Sequence, residues 1–132
     1  MTNCVTEIKE ADVIFVTGSN TTENHPVMGM YIRQAKKAGK KLIVADPVRI
    51  PLADIADVYL QINPGTSVAL SNGMIHVIFA EGLEDKEYIE KHTEGAAELR
   101  EFVKEYTPER VAEICGIDVE DLKKAARLYA TN

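Results

Sequence analysis

The distribution of hydrophobic and polar residues over the first 47 positions predicts a strand, a helix and a second strand. Residues 12–17 (DVIFVT) form a continuous β-branched and aromatic run, which is typical of a strand buried on both faces. A helix is predicted at residues 26–38, followed by Gly39, and residues 41–45 (KLIVA) form a second strand ended by Asp46-Pro47. A β-α-β order within about 35 residues is the size of a parallel crossover unit. The apolar face of the helix is predicted to comprise Val27, Met28, Met30, Tyr31, Ile32, Ala35 and Ala38.

Further along the chain, the pattern predicts a third strand and then helices only. A short strand is expected at about residues 57–62 and a turn at Asn63-Pro64-Gly65. Thr66 or Ser67 is positioned to cap a helix that runs to about residue 80, and this helix is apolar nearly all round, so we expect it to be buried. After Gly82, amphipathic helices are predicted at residues 86–91, 96–106, 108–115 and 119–130.

This order of elements predicts an α/β fold. We expect a Rossmann-like three-layer α/β/α arrangement with a short parallel sheet, followed by a helical C-terminal extension. A single domain is expected over residues 1–132, with an α/β part at about residues 1–82 and the extension at about residues 83–132. With 45% hydrophobic and 27% charged residues, a chain of 132 residues can bury a real core.

Charge and reactive side chains exclude several classes of function. A net charge of −6 leaves no basic surplus for nucleic acid, so any bound phosphate must be held by backbone N–H groups and helix ends. Cys4 and Cys115 lack metal or redox spacing and are expected to be free thiols, while His76 is expected in the core and His92 in solvent. No apolar run reaches about 18 residues, which predicts no membrane span. Without a signal-peptide pattern at the start, we expect a cytoplasmic location.

Polar segments follow all three predicted strands. They are GSNTTENHP after the first, ADP with Arg49 after the second, and NPGTS after the third. Ligands of parallel α/β sheets bind beyond the carboxyl ends of the strands, so we expect the three segments to converge on one polar ligand. Their backbone amides, hydroxyls, side-chain amide and carboxylate suit a nucleotide better than an apolar ligand.

Each segment also has an ordinary structural interpretation. A single glycine after a strand, such as Gly18, is common in ordinary turns. Gly18 is not part of the G-x-G-x-x-G fingerprint of a standard NAD site. Asp46-Pro47 is also consistent with the start of an ordinary turn. Thr66 and Ser67 are also consistent with ordinary helix caps. His25 either faces a ligand or packs beside the start of the helix. The coincidence of three polar segments at one predicted edge favours a site.

The ordered motifs resemble the cofactor-binding domain of molybdopterin-guanine-dinucleotide oxidoreductases. They are G-x-N…HP from Gly18 to Pro26, D-P at Asp46-Pro47, and PGT before the buried helix. The segments TEG, YTPERV and GIDVEDLKKAARLYA continue the likeness to the end of the chain. The resemblance covers essentially all 132 residues and is greatest to the catalytic alpha subunit of formate dehydrogenases.

The resemblance implies a site for one guanine dinucleotide half of a bis-molybdopterin guanine dinucleotide cofactor with Mo or W. The first loop would approach the pyrophosphate and pterin, Asp46 would contact ribose, and the third loop would lie against guanine or ribose. Two positions depart from the family's pattern: Val48 replaces the Arg of D-P-R, and Ser67 stands where a carboxylate or amide is common. The implied cofactor-binding residues are Gly18, Asn20, Glu23, His25, Pro26, Ala45, Asp46, Pro47, Gly65, Thr66 and Ser67, with no catalytic residue or metal ligand among them.

For the whole enzyme, the resemblance implies oxidation of formate to carbon dioxide, with electrons leaving through iron–sulfur clusters. The [4Fe-4S] segment and the Cys or selenocysteine that ligates the metal belong to other parts of such an enzyme. Met1-Thr2-Asn3 resembles a family interior, so we expect an excised domain that is inactive alone. The expected partners are the remaining domains of the same alpha subunit and an iron–sulfur electron-transfer subunit, with neither nucleic acid nor membrane.

Two alternatives stay open. The first is a structural, metal-free homologue of this domain in the large subunit of an NADH dehydrogenase. The second is a stand-alone nucleotide- or flavin-binding module. Related enzymes reduce nitrate or sulfoxides on the same scaffold, and the residues that choose the substrate lie outside this chain.

Overall fold

A computed structural model describes residues 4–131 and shows a three-stranded parallel sheet with helices. Met1-Thr2-Asn3, on which the expectation of an excised domain rests, lies outside these residues. The strands are β1 (Val13–Thr17), β2 (Lys41–Ala45) and β3 (Val58–Leu60). The helices are α1 (Thr21–Asn24), α2 (Pro26–Lys37), α3 (Ser67–Glu81), α4 (Lys86–His92), α5 (Ala96–Phe102), α6 (Pro108–Cys115) and α7 (Val119–Ala130), with short 3-10 helices at Val5–Lys9, Ala53–Ile55 and Val103–Glu105. The predicted α/β fold with a helical extension is confirmed.

The sheet has the strand order β1-β2-β3, and both pairings are parallel. Residues Leu42 to Ala45 of the central strand are fully buried, as the apolar run KLIVA predicts. The prediction that β1 is buried on both faces is wrong, because β1 lies at the edge of this sheet. Its residues Val13, Ile14 and Phe15 are only half-buried.

The described residues divide into two compact units, of which the first ends at Ile62. In this unit α2 buries Gly29, Ile32 and Ala35. The predicted apolar face of α2 is therefore only partly correct, since Val27 is 60% exposed and Met30 is 45% exposed. The buried core cluster of the unit comprises Val16, Ile32, Leu42, Val44, Ile50, Leu52 and Ala53.

The second unit spans Asn63–Thr131 and is entirely helical in its regular structure. Helix α3 packs against α6 and α7 through one stripe of buried residues, Leu70, Gly73, Met74 and Val77. The prediction that α3 is buried all round is wrong, because Val68 at its start is 71% exposed. Helix α3 ends at Gly82, whose φ of 66° is the left-handed conformation that a C-terminal glycine favours.

Candidate functional site

The first loop begins at Gly18, directly after β1. Gly18 has a φ of 56°, and its N–H donates to the Ala45 carbonyl at 3.2 Å. A Cβ at this position would meet no other atom within 4 Å, so the backbone here borders open space. A glycine in this conformation lets the chain turn sharply while leaving room for another group to approach the backbone.

The next residues of this loop form the single helical turn α1, which the sequence analysis did not predict. Three side-chain atoms of this loop are buried and have no hydrogen-bond partner among the described residues: Asn20 Oδ1, Thr21 Oγ1 and Thr22 Oγ1. Outside the loop, Glu84 Oε2 is in the same situation. Thr21 is only 3% exposed. Buried polar atoms are nearly always hydrogen-bonded in folded proteins, so three successive unpaired atoms make this loop a candidate site for a polar ligand.

Thr21 and Thr22 are therefore functional candidates that sequence reasoning missed. The signal available was the Asn-Thr-Thr run after a strand, which places three short polar side chains in succession. Among the described residues the backbone N–H groups of residues 19–22 also lack an acceptor. Together these groups give the first loop a cluster of unpaired amides and hydroxyls.

The remainder of the first loop is exposed. Glu23 lies on the outer side of α1, and Pro26 is the first residue of α2, where its missing N–H causes no loss. His25 and Pro26 line a cavity of about 450 Å³ together with Val5, Asn24, Val27 and Met28. His25 directly precedes α2, is exposed, and its side chain forms no capping hydrogen bond. Packing beside the start of the helix and contact with a ligand both stay predictions.

The second loop turns around Asp46, which is 8% exposed. Its Oδ1 accepts from the Val48 N–H at 2.8 Å, so the turn expected of Asp-Pro is present. Its backbone carbonyl accepts from the Tyr59 hydroxyl at 3.2 Å. Burial of the Tyr59 hydroxyl raises its pKa, and the nearby charge of Asp46 raises it further by a smaller amount. The hydroxyl therefore stays protonated and able to donate this hydrogen bond. Within residues 4–131 the second carboxylate oxygen, Oδ2, has no hydrogen-bond partner.

Ala45 and Pro47 flank Asp46 and shape this loop. Ala45 is fully buried at the end of β2, and the Pro47 carbonyl accepts from Gln61 Nε2 at 3.3 Å. Arg49, which stands one place later than the arginine of the family's D-P-R, pairs with Asp54 Oδ1 at 2.9 Å instead.

The third loop lies in the second unit. Gly65 is exposed, with a φ of 83°, and a Cβ there would also meet open space. Thr66 lies at the N-cap position of α3, as predicted, but its hydroxyl donates to the Asn63 carbonyl at 2.7 Å and forms no capping hydrogen bond. Ser67 is the exposed first residue of α3, and its carbonyl accepts from the Ser71 hydroxyl at 3.0 Å.

Sheet register brings two of the three loops together. Thr17 and Ala45, the last residues of β1 and β2, are directly paired, and the hydrogen bond from Gly18 to Ala45 extends that pairing by one step. Gly18, Asn20 and Asp46 therefore follow neighbouring strands at one edge of the sheet. The convergence of Gly65, Thr66 and Ser67 on the same ligand stays a prediction.

No group of three or more His, Cys, Asp or Glu side chains in residues 4–131 is arranged to hold a metal ion. Cys4 is exposed and Cys115 is buried, and both are free thiols, as predicted. Burial raises the pKa of the Cys115 thiol. His76 is half-buried with its Nδ1 2.8 Å from the Val103 carbonyl, which confirms a satisfied core histidine. None of the described helices is long and apolar enough to cross a membrane.

A sequence model of the family described as molybdopterin oxidoreductase matches residues 1–130, and the chain belongs to this family. Over 129 residues it is 50% identical to the F420-dependent formate dehydrogenase subunit alpha of Methanocaldococcus jannaschii, covering 98% of this chain and 19% of that protein. Formate dehydrogenase H of Escherichia coli is 42% identical over 130 residues, covering 98% of this chain and 18% of that protein.

The fold is shared with a solved structure of the acetylene hydratase from Pelobacter acetylenicus. The TM-score is 0.86 at 38% identity, and the match covers 96% of this chain and 19% of that one. The chain thus spans about a fifth of the length of these relatives. These matches confirm the resemblance on which the expected cofactor rests.

Proposed function

We propose that this chain holds one guanine dinucleotide half of a bis-molybdopterin guanine dinucleotide cofactor inside a larger oxidoreductase. Its membership of the molybdopterin oxidoreductase family supports a pterin-bound Mo or W in the parent enzyme. The observation that carries the proposal is the set of unpaired buried atoms, Asn20 Oδ1, Thr21 Oγ1 and Thr22 Oγ1, beside a glycine that borders open space.

The first loop would bind the pyrophosphate and the pterin side of the cofactor. Its unpaired N–H groups suit phosphate oxygens, because backbone amides bind anions without adding a charged side chain. The side-chain oxygen Oδ1 of Asn20 and the hydroxyls of Thr21 and Thr22 suit the hydrogen-bonding edge of a pterin. Glu23, His25 and Pro26 continue this surface.

The second loop would bind ribose. Asp46 uses Oδ1 to hold its own turn, so its position is fixed before a ligand arrives. Oδ2 is available to accept from a ribose hydroxyl, as acidic residues do after the second strand of dinucleotide-binding folds. Ala45 and Pro47 hold the backbone around it, and Gly65, Thr66 and Ser67 would contact guanine or ribose.

When bound, the metal and pterin supply the two-electron chemistry, and the protein supplies binding and orientation. The names of two relatives support formate as the substrate of the parent, which would be oxidised to carbon dioxide. We place the [4Fe-4S] cluster and the metal-ligating Cys or selenocysteine in other domains of the same subunit. An iron–sulfur subunit would accept the electrons, and residues 1–132 would act as one cofactor-binding domain of a cytoplasmic enzyme.

Nuclear magnetic resonance titration of the 132-residue chain with GMP tests the binding role. We expect amide shifts at Gly18, Asn20 and Asp46, with a dissociation constant on the order of 1 mM for this isolated half-ligand. The N20A/D46A double variant should lose the shifts. Asp54→Asn, which removes an exposed carboxylate paired with Arg49, should retain them.

Formate turnover tests the expectation that the 132-residue chain alone is catalytically inactive. The isolated chain should not reduce an artificial electron acceptor in the presence of formate, because we expect the metal-ligating residue to lie in another domain of the parent enzyme. Turnover by the chain, or unchanged GMP shifts in N20A/D46A, would contradict the proposed function.

A further inference from the structure

A groove of about 420 Å³ lies between α1 and the outward side of α2. We call it the α2 groove, and its lining residues are Thr22, Pro26, Gly29, Met30, Arg33, Gln34 and Lys37. The α2 residues recur every three or four positions, so they lie on one side of the helix. All of the lining residues belong to the first unit. Five of them, Gly29, Met30, Arg33, Gln34 and Lys37, are beyond the three loops discussed above.

The groove is formed because α1 and α2 touch at a glycine. A Cβ at Gly29 would lie 3.1 Å from the Thr21 carbonyl oxygen, so a larger residue would push the two helices apart. Pro26 and Gly29 form a floor with no charge, and Met30 lies 45% exposed beside them. This part of the groove suits the apolar or aromatic body of a small ligand.

Two cations lie at the other end of the groove. Arg33 and Lys37 are one helical turn apart on α2, and neither forms an ion pair with any residue in the range 4–131. Their neighbour Lys36 pairs with Asp57 at 2.7 Å, and Lys40 pairs with Asp12 at 2.8 Å. Like charges one turn apart repel, and a bound anion would relieve that repulsion.

Uncharged polar groups complete the site. Thr22 Oγ1 is buried without a hydrogen-bond partner among the described residues, and Gln34 adds a side-chain amide to the lining. A guanidinium binds two phosphate oxygens at once, and an ammonium adds a point charge beside it. The groove therefore offers two cations, a hydroxyl and an amide next to an uncharged floor.

We propose that the α2 groove binds a small organic phosphate, with the phosphate at Arg33 and Lys37 and the organic body over Pro26 and Met30. Thr22 and Pro26 also belong to the first cofactor loop, so the groove borders the proposed cofactor site. The two cations that would hold the phosphate, Arg33 and Lys37, lie outside the three cofactor loops. Binding here would place an anion on α2, beside the first cofactor loop.

Calorimetric titration of the 132-residue chain with phenyl phosphate tests this assignment. Phenol lacks the phosphate, inorganic phosphate lacks the ring, and benzoate carries a carboxylate instead. Phenyl phosphate should bind at least tenfold more tightly than phenol or inorganic phosphate, and more tightly than benzoate. The R33Q/K37Q variant should weaken phenyl phosphate binding at least tenfold.

Matched controls separate this site from general charge and from the cofactor site. K86Q/R110Q removes one Lys and one Arg from exposed positions in the second unit and should bind phenyl phosphate as the unmodified chain does. N20A/D46A should also bind it normally, even where GMP binding is lost. The far-ultraviolet circular dichroism of every variant should match that of the unmodified chain.

Three outcomes would overturn the proposal. Phenol or inorganic phosphate binding as tightly as phenyl phosphate would show that the groove does not recognise the combined ligand. Equal losses in R33Q/K37Q and K86Q/R110Q would show that net charge alone is responsible. Loss of phenyl phosphate binding in N20A/D46A would assign that binding to the cofactor loops instead.

Discussion

Among the glycines of the second unit, Gly73 has the least room for a side chain. A Cβ at Gly73 would lie 2.8 Å from Val111 Cγ1 and 2.9 Å from Val111 Cγ2. Val111 is completely buried in α6, so its side chain cannot move out into solvent to relieve the overlap. The absence of a side chain at Gly73 therefore sets how closely α3 and α6 approach.

Gly73→Ala should destabilise the chain by about 1–3 kcal/mol through this overlap, despite the better helix propensity of alanine. Urea denaturation gives the free energy of unfolding. Ser71→Ala, at an exposed position of the same helix, should change it by less than about 0.5 kcal/mol. Adding Val111→Ala should reduce the penalty of Gly73→Ala, and an additive double variant would contradict the overlap.

Asp57 is the residue directly before β3, and its carboxylate contacts both α2 and β2. Burial raises the pKa of its carboxyl, but hydrogen bonds from the Lys36 ammonium at 2.7 Å and the Leu42 N–H at 2.8 Å outweigh it. The net pKa of Asp57 is therefore lower in the folded state than in the unfolded state. The contribution of the Asp57 carboxylate to the free energy of unfolding is therefore fully present above the unfolded pKa of about 3.9, and it is lost as the pH falls through the folded pKa.

Asp57→Asn should lower the free energy of unfolding by about 1–3 kcal/mol at pH 7. The difference from the unmodified chain should shrink as the pH falls below about 4 and through the lowered folded pKa of Asp57, because protonation removes the charge that its hydrogen bonds stabilise. Asp54→Asn, whose carboxylate and partner Arg49 are both well exposed, should cost less than about 1 kcal/mol. A pH-independent difference for Asp57→Asn would contradict the lowered pKa.

At the scale of elements, local sequence patterns predict the three strands and the longer helices, but not α1, and the predicted helix at residues 96–106 ends at residue 102. KLIVA is a strand at the predicted residues, and the segments 108–115 and 119–130 are helices with the predicted ends. The reason is that strand runs, first-turn prolines and final glycines act within a few residues. Burial depends on neighbours distant in sequence, which explains the wrong predictions for β1 and α3.

The end of α6 anchors the third loop within the second unit. The Asn63 N–H donates to the Cys115 carbonyl at 2.7 Å, and Asn63 Nδ2 donates to the Ile114 carbonyl at 3.2 Å. Gly116 ends α6 with a φ of 71°, and a Cβ there would lie 2.9 Å from Asn63 Nδ2. The turn before Gly65 is thus ordered by contacts with the helix terminus.

Gly116→Ala should therefore be more destabilising than Gly82→Ala. Both glycines end helices in the left-handed conformation, but a Cβ at Gly82 meets nothing within 4 Å. Gly82→Ala should cost about 1–2 kcal/mol from the backbone alone, and Gly116→Ala should cost more by the overlap with Asn63. The urea midpoints of the two variants measure this difference. Equal losses of stability would show that Asn63 does not restrict position 116.

At the scale of the whole molecule, the acidic character of the chain belongs to one part of the sequence. Residues 1–62 carry seven basic and seven acidic side chains, whereas residues 63–132 carry eight basic and fourteen acidic ones. The net charge of −6 therefore arises entirely after residue 62. The loops at Gly18 and Asp46 lie in the neutral part, so the overall charge does not oppose phosphate binding there.

The candidate site is less predictable from sequence than the fold. The positions of Gly18 and Asp46 after neighbouring strands follow from the β-α-β order, and the register of the sheet bears this out. The short helix at Thr21 and its unpaired hydroxyls depend on the packing of Thr21 against Gly29, which no local pattern reveals. The placement of the third loop depends on contacts with α6, more than forty residues further along the chain.

The most direct test of the cofactor role is the guanine dinucleotide content of the full-length parent subunit. Asn20→Ala combined with Asp46→Ala should lower the GMP released by acid hydrolysis to less than half of the normal amount per subunit, together with Mo or W. The K86Q/R110Q variant should keep the normal content. A parent subunit that contains neither metal nor pterin, or an N20A/D46A variant with normal content, would contradict the account.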